Sequence, residues 1–269
     1  TRRGLQQIDL VEHLEARDLA GNRTPNTEEL CATTPTADCA VDYNTQVRPI
    51  VDARCSHCHR NDRGAPRHLD LRFYGGILAG GALRAEVRAC DWAGSLINVK
   101  TDDDFCGVRM PFDGPPWLAD SERSLIQRWV ESGARQTCSD PDPCGDTTAP
   151  TFAGLERVTE LDPSTAELCW SAASDDTSPP EAIVYEIYDS GSPGGQDFTR
   201  VAPYAIAGGT TCYQVRVPPG SQTCFVVQAR DLAGNIDANR IERCVTTAPG
   251  CFEYESAIQT IFSERCVHC

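Results

Sequence analysis

Two hydrophobic periods divide the chain. Between residues 39 and 137 apolar positions recur at helical spacing. Tyr43, Val47, Ile50 and Val51 share one face of a predicted helix that leads into Cys55, with Pro49 demanding an early turn or a kink. Leu125, Ile126, Trp129 and Val130 stripe a second predicted helix over Ser121–Ser132, with Asp120 or Ser121 as its N-cap and Gly133 as its stop. From residue 146 to 248 the period falls to two. Ala166, Leu168 and Trp170 alternate inward on one strand, Val184, Tyr185 and Ile187 mark another, and Phe225, Val227 and Ala229 a third reached through the turn Pro218-Pro219-Gly220. Short alternating strands between turn residues predict a β-sandwich of about 100 residues.

The pattern repeats. Ala16-Arg17-Asp18-Leu19-Ala20-Gly21-Asn22 returns letter for letter as Ala229 to Asn235, 213 residues later, and Cys31-Ala32-Thr33-Thr34 is echoed at the same offset by Cys244-Val245-Thr246-Thr247. Cys39 and Tyr43 are echoed by Cys251 and Tyr254, and Cys55-Ser56-His57-Cys58 by Cys266-Val267-His268-Cys269. The expected organisation is a tandem repeat of about 212 residues. Residues 1–38 hold the last strands of one sandwich, 39–137 a helical domain, 138–250 a linker and a complete sandwich, and 251–269 the start of a second helical domain. On this reading the chain is a processed product or a window from something longer.

Cys55-Ser56-His57-Cys58-His59 carries the candidate chemistry. Two thiols two residues apart followed by an imidazole make the attachment signature of a c-type haem: the sulfurs form thioethers to the porphyrin, and His59 lies where it can bind the iron. Half a zinc site or a thioredoxin-like redox pair are the competing readings. The first would need a second ligand pair and the second a βαβ pattern, and the sequence offers neither. The sole methionine, Met110, sits in the loop Arg109-Met110-Pro111-Phe112-Asp113-Gly114-Pro115-Pro116-Trp117. That loop lacks any regular period, which favours presentation of the side chain over core filling.

The CxxCH motif, the Met-Pro loop and the final helix ending near Gly133-Ala134 together resemble the class I cytochrome c domain. Leu69-Asp70-Leu71 and the glycine-rich Phe73 to Gly81 are similar to the middle of small bacterial members found in multidomain secreted proteins. The resemblance implies an all-α domain with covalent haem c on Cys55 and Cys58 and axial metal ligands His59 and Met110. Cys266 and Cys269 would begin a second haem site, truncated one residue short of its histidine. Asp146-Thr147-Thr148-Ala149-Pro150 and Asp231-Leu232-Ala233-Gly234-Asn235 resemble fibronectin type III and related immunoglobulin-like repeats, which implies a fold and little about function. The fold class expected is therefore multidomain, an all-α cytochrome c domain joined to an all-β immunoglobulin-like (fibronectin type III) sandwich.

Charge narrows the partners. The net charge is −15 over 269 residues, and no basic run or aromatic-interleaved basic patch is present, so nucleic acid and anionic membranes are poor partners. Residues 39–137 balance 13 acidic against 13 basic residues, whereas 138–250 carry 16 against 6. Lys100 is the only lysine, so a docking patch would be arginine-rich or apolar. Asp146, Asp175, Asp176, Asp231, Asn235 and Asp237 fall near predicted strand ends and leave calcium open, although their spacing fits no standard calcium loop.

Fifteen cysteines and haem attachment point to export, to the periplasm or the cell surface. No apolar run approaches the ~20 residues of a membrane span. Excluding the four motif cysteines leaves eleven. The pairs expected are Cys90–Cys106, Cys138–Cys144 and Cys169–Cys212, with Cys31–Cys39 and Cys244–Cys251 keeping the repeat and leaving Cys224 over, although sequence cannot fix connectivity.

The functional expectation is extracytoplasmic electron transfer rather than catalysis, with redox proteins and neighbouring repeats as partners. A structural or adhesive fibre carrying isolated redox modules is the alternative. A haem enzyme of peroxidase type is the third reading, and beyond His57 and His68 no nearby imidazole would supply its acid/base chemistry.

Overall fold

The computed structural model describes residues 10–12, 30–32, 39, 41–60, 69–81, 87–102 and 108–250. The chain divides into two compact units, Thr1–Asp38 and Cys39–Cys269. In the first, β1 (Leu10–Glu12) pairs antiparallel with β2 (Leu30–Ala32), Val11 opposite Cys31. The second unit repeats that register 213 residues on. There Cys224 stands opposite Cys244, and Thr223 and Phe225 face Val245 and Arg243 as Leu10 and Glu12 face Ala32 and Leu30. The letter repeat is thus also a repeat of backbone pairing.

The helical part of the second unit begins at Asp42, whose carboxylate accepts from the Thr45 amide at 2.9 Å. A π-helical turn over Tyr43–Val47 runs into α1 (Arg48–Arg54). Pro49, lacking an N–H, takes a first-turn position of α1, where that donor is not needed. The wide turn buries Tyr43 and Val47 together, and Val51 follows on the same side. Ile50 is only partly buried. Next come α2 (Tyr74–Ala79), α3 (Leu96–Thr101) and α4 (Asp120–Glu131).

α4 starts one residue earlier than its sequence suggests. Ala119 is the N-cap, and its own N–H is satisfied by the Glu122 carboxylate at 2.8 Å. Asp120 instead places its charge in the first turn, where the helix dipole favours it. Ile126, Trp129 and Val130 form the buried stripe, with Leu125 at its margin. Gly133 ends the helix at φ +98°, and a Cβ there would also meet Pro143 Cδ at 2.7 Å. Gly133→Ala is expected to cost about 1–3 kcal/mol through the left-handed backbone and this clash, read as a lower midpoint in urea.

An aromatic trio centres the helical core. Tyr43 lies 5.2 Å from both Tyr74 and Trp129, measured between ring centres. The Trp129 indole donates to Arg135 O at 2.8 Å and the Tyr74 hydroxyl to Ala134 O at 2.9 Å, so the chain after α4 is pinned beneath its own helix.

Seven strands build the rest: β3 (Arg157–Asp162), β4 (Thr165–Cys169), β5 (Val184–Ser190), β6 (Tyr204–Ile206), β7 (Cys212–Arg216), β8 (Gln222–Arg230) and β9 (Glu242–Thr246). They form antiparallel sheets ordered β3-β4-β7 and β6-β5-β8-β9. Leu168, Trp170, Tyr185, Ile187, Phe225 and Val227 fill the space between them, as alternation predicts for a sandwich. The opposite face of β5 is also buried. Val184, with Ala182 and Leu232, belongs to the core of the helical part, and α2 packs against β5 and β6. Helices and sandwich therefore share apolar interior.

Of the expected disulfides, Cys169–Cys212 is present, between residues directly opposite on β4 and β7. The other expected pairs are replaced. Cys39 bonds Cys138 and Cys90 bonds Cys144, because residues 133–145 fold back over the helical part instead of leaving as a free linker; Cys90 N already donates to Val130 O at the end of α4. Cys224 is not left over but bonds Cys244, its direct neighbour across β8 and β9. Cys106, Cys251, Cys266, Cys269 and His68 lie outside the described residues, as does the Cys31 side chain. No described helix is long and apolar enough to cross a membrane.

Candidate functional site

The Cys55–His59 segment turns tightly at the end of α1. Cys55 and Ser56 amides both donate to Val51 O, and Cys58 and His59 amides both donate to Cys55 O. This winding brings two thiols and an imidazole around one point, although they span five residues. The Ser56 hydroxyl donates to Leu71 O at 3.0 Å, and Leu71 N donates to His59 O at 2.9 Å, so the turn is clamped to the Leu69–Leu71 segment.

Met110 arrives from the other side. Its amide donates to Lys100 O at 2.8 Å, which fixes the loop to the end of α3. α3 is tied in turn to α4 by Arg123, which reaches Asn98 at 2.6 Å and Asp102 at 2.7 Å.

Between these walls lies a cavity of about 510 Å³. Cys55, Cys58, His59 and Met110 all line it, and Leu69, Leu71, Ile77, Ile97, Leu118 and Ile126 supply an apolar interior. Ile97 and Leu118 had no sequence signal, since six residues of α3 are too few to show a period and Leu118 stands in an irregular loop. Cys55 and Cys58 belong to none of the described disulfides, which join eight other cysteines. His59 Nδ1 is sealed from solvent without a hydrogen-bond partner. Burial, helped by the nearby His57, holds the His59 pKa below the usual imidazole value and keeps the ring neutral. At the mouth His57 Nε2 stands 3.4 Å from the Asp113 carboxylate on the Met110 loop, and Phe112 beside it is 76% exposed.

A second cavity, of about 540 Å³, is lined by Arg88, Glu186, Tyr188, Phe198 and Arg230 among others. It holds no thiol, imidazole or thioether among the described residues, so the apolar cavity is the chemically equipped one.

Among solved structures the chain is similar to the sixth fibronectin type III domain of human fibronectin type III domain containing protein 3, at 16% identity over 41% of this chain and 96% of that one, with a TM-score of 0.31. It is also similar to the fn3 domain of human contactin 1 (10% identity, 40% and 87% covered, TM-score 0.27) and to a beta-1,2-glucanase from Parabacteroides distasonis (17%, 43% and 15%, 0.29). No family model and no curated protein matches the chain. The sandwich is fibronectin type III-like, a description that rests on its own strand order and not on these scores.

Proposed function

We propose that Cys55 and Cys58 would hold a haem c covalently in the helical part, with His59 and Met110 as the residues that would bind its iron, and that the protein passes single electrons outside the cytosol. The observation that carries this reading is the convergence of the two motif cysteines, the motif histidine and the only methionine on one apolar cavity. The residues fit the group. The cavity falls within the usual range for bound cofactors, and its lining would exclude water from the ring. The four described disulfides join eight other cysteines and leave the CxxC pair outside them, as attachment to a haem would require.

Bound there, haem c supplies a one-electron iron couple, with a potential raised by thioether ligation. The chain's own part is positional. Cys55 and Cys58 fix the group to α1, while the Leu71–His59 hydrogen bond holds the imidazole segment in place. The Lys100 carbonyl anchors the backbone of Met110, and the His57–Asp113 pair spans the mouth between the two ligand-bearing segments.

The four disulfides among the described residues suit an oxidising compartment. A structural role for the whole array, as an extracellular fibre or stalk, is favoured by the fibronectin type III-like sandwich and by the repeated strand register, and it is compatible with electron transfer. Haem-to-haem separation along a longer chain would distinguish a wire from a stalk with isolated redox modules.

The test is a reduced-minus-oxidised spectrum of the intact protein extended into the near infrared. We expect c-type bands with a methionine-to-ferric-iron band, and Met110→Ala should remove that band while leaving the haem attached. A high-spin site that takes up cyanide at once would overturn the ligation and favour the enzyme reading.

A further inference from the structure

Three aspartates from distant parts of the sequence meet at the start of the sandwich. Asp146 ends the connector that leaves Cys144, Asp175 lies in the loop after β4, and Asp231 directly follows β8. Each offers one carboxylate oxygen to a group in which all three lie within 4.8 Å of one another. Proximity of acidic groups alone would mean little. What distinguishes this cluster is how its oxygens are used.

Asp146 Oδ1 accepts from the Thr148 amide at 2.8 Å, and Asp175 Oδ2 accepts from the Thr177 and Ser178 amides at 3.0 and 2.8 Å. The remaining oxygen of each, Asp146 Oδ2 and Asp175 Oδ1, is sealed from solvent and has no donor at all. Asp231 is itself wholly buried, and its oxygens accept from Asn235, through the amide at 2.7 Å and Nδ2 at 2.8 Å, with the Gly234 amide also close to the carboxylate. No arginine, lysine or histidine is paired with any of the three among the described residues.

Asp146 and Asp175 are half-buried, but a carboxylate oxygen sealed from solvent without a donor is costly, and two of them beside a buried third carboxylate leave that cost unmet. The scaffold is nonetheless rigid: Asn235 Nδ2 also donates to Asp146 O at 3.2 Å, and the Leu232 amide donates to Ser178 Oγ at 2.9 Å.

We propose that Asp146, Asp175 and Asp231 bind a hard divalent cation, calcium by their all-oxygen chemistry, which clamps the connector to both sheets of the sandwich. Oxygens bound to one Ca²⁺ at ~2.3–2.6 Å lie no more than about 5 Å apart, the spacing that the three carboxylates already have. Asp175 belongs to the β3-β4-β7 side and Asp231 to the other sheet, while Asp146 lies two residues beyond a disulfide to the helical part. One ion would therefore lock the joint between the two halves of the unit. Asp18 and Asn22 occupy the places of Asp231 and Asn235 in the preceding copy of the repeat.

The experiment is thermal unfolding of the full chain in EDTA and in about 10 mM Ca²⁺, with Mg²⁺ as the comparison. It does not depend on the haem reading. The wild type should gain about 5–10 °C in Ca²⁺ for a site in the range of extracellular modules. Asp175→Asn should lose that gain and, in EDTA, melt no lower than the wild type, because one unpaired charge has gone. An unchanged wild-type melting temperature, or an Asp175→Asn protein that keeps the full Ca²⁺ response, would overturn the site. If Asp175→Asn does not fold, calorimetric titration of the wild type and of Asp146→Asn takes its place. Saturable Ca²⁺ binding lost in the variant supports the site, and no binding, or equal binding in both, refutes it.

Discussion

Replacing Cys55 and Cys58 together by alanine is expected to yield a chain with no covalently attached haem, whose mass after acid denaturation equals that of the polypeptide alone. Both thiols border the same cavity and neither belongs to a described disulfide, so the double variant removes the attachment chemistry and leaves the four described disulfides in place. Stability should fall as well. An apolar void of 510 Å³ costs up to about 12 kcal/mol at ~24 cal/mol per Å³, an upper bound for a cavity that opens to solvent but comparable with the whole stability of a domain. The helical part should then lose its near-ultraviolet dichroism while the sandwich keeps its far-ultraviolet strand signal. A double variant that still carries haem through acid denaturation, or that melts where the wild type does, would sink the attachment proposal.

Trp129→Ala should be the most damaging single truncation in the helical part, at about 3–5 kcal/mol by urea unfolding. The indole is fully buried, touches the Tyr43 ring, and provides the hydrogen bond to Arg135 O that holds the chain after α4. Trp129→Phe keeps most of the ring contact and loses the donor, leaving Arg135 O unsatisfied, so it should cost ~1–3 kcal/mol. Equal losses for the two variants would mean that the hydrogen bond, and not the packing, is what α4 depends on.

Much of this architecture was legible because it is local. A strand with one wet face alternates, so Ala166, Leu168 and Trp170 announced their side of the sandwich, and the stripe and terminal glycine of α4 announced a helix and its end. The helix start was misplaced because Ala119 carries no capping side chain, and the compensating carboxylate of Glu122 lies three residues downstream. Disulfides depend on which segments come together. Cys39 and Cys138 are 99 residues apart in sequence and 5.1 Å apart at Cα, a proximity that no local signal encodes. Cys169 and Cys212 stand directly opposite on neighbouring strands, a pairing that short-range strand order brings within reach of the sequence.

The four residues of the candidate site could be named from the motif and the lone methionine, but the walls could not. Ile77, Ile97 and Leu118 come from short or irregular segments whose only common property is the space they enclose. The aspartate cluster was half visible. Its members were noticed as acidic residues near strand ends, but the two donorless oxygens that single out Asp146 and Asp175 exist only once the loops are folded.

The sheet β6-β5-β8-β9 presents to the helices a face that most isolated sandwiches turn to water. Val184 and Leu232 lie within the helical core, and a Cβ added to Gly75 of α2 would come within 2.9 Å of the Ala207 methyl beyond β6. The seam at residue 145 is therefore a boundary in composition and not in cohesion. A duplication or recombination event that cut there would expose apolar surface on both products. The helix-and-sandwich pair keeps its shared core whole when copied as one unit, in keeping with a repeat that spans both folds and not either alone.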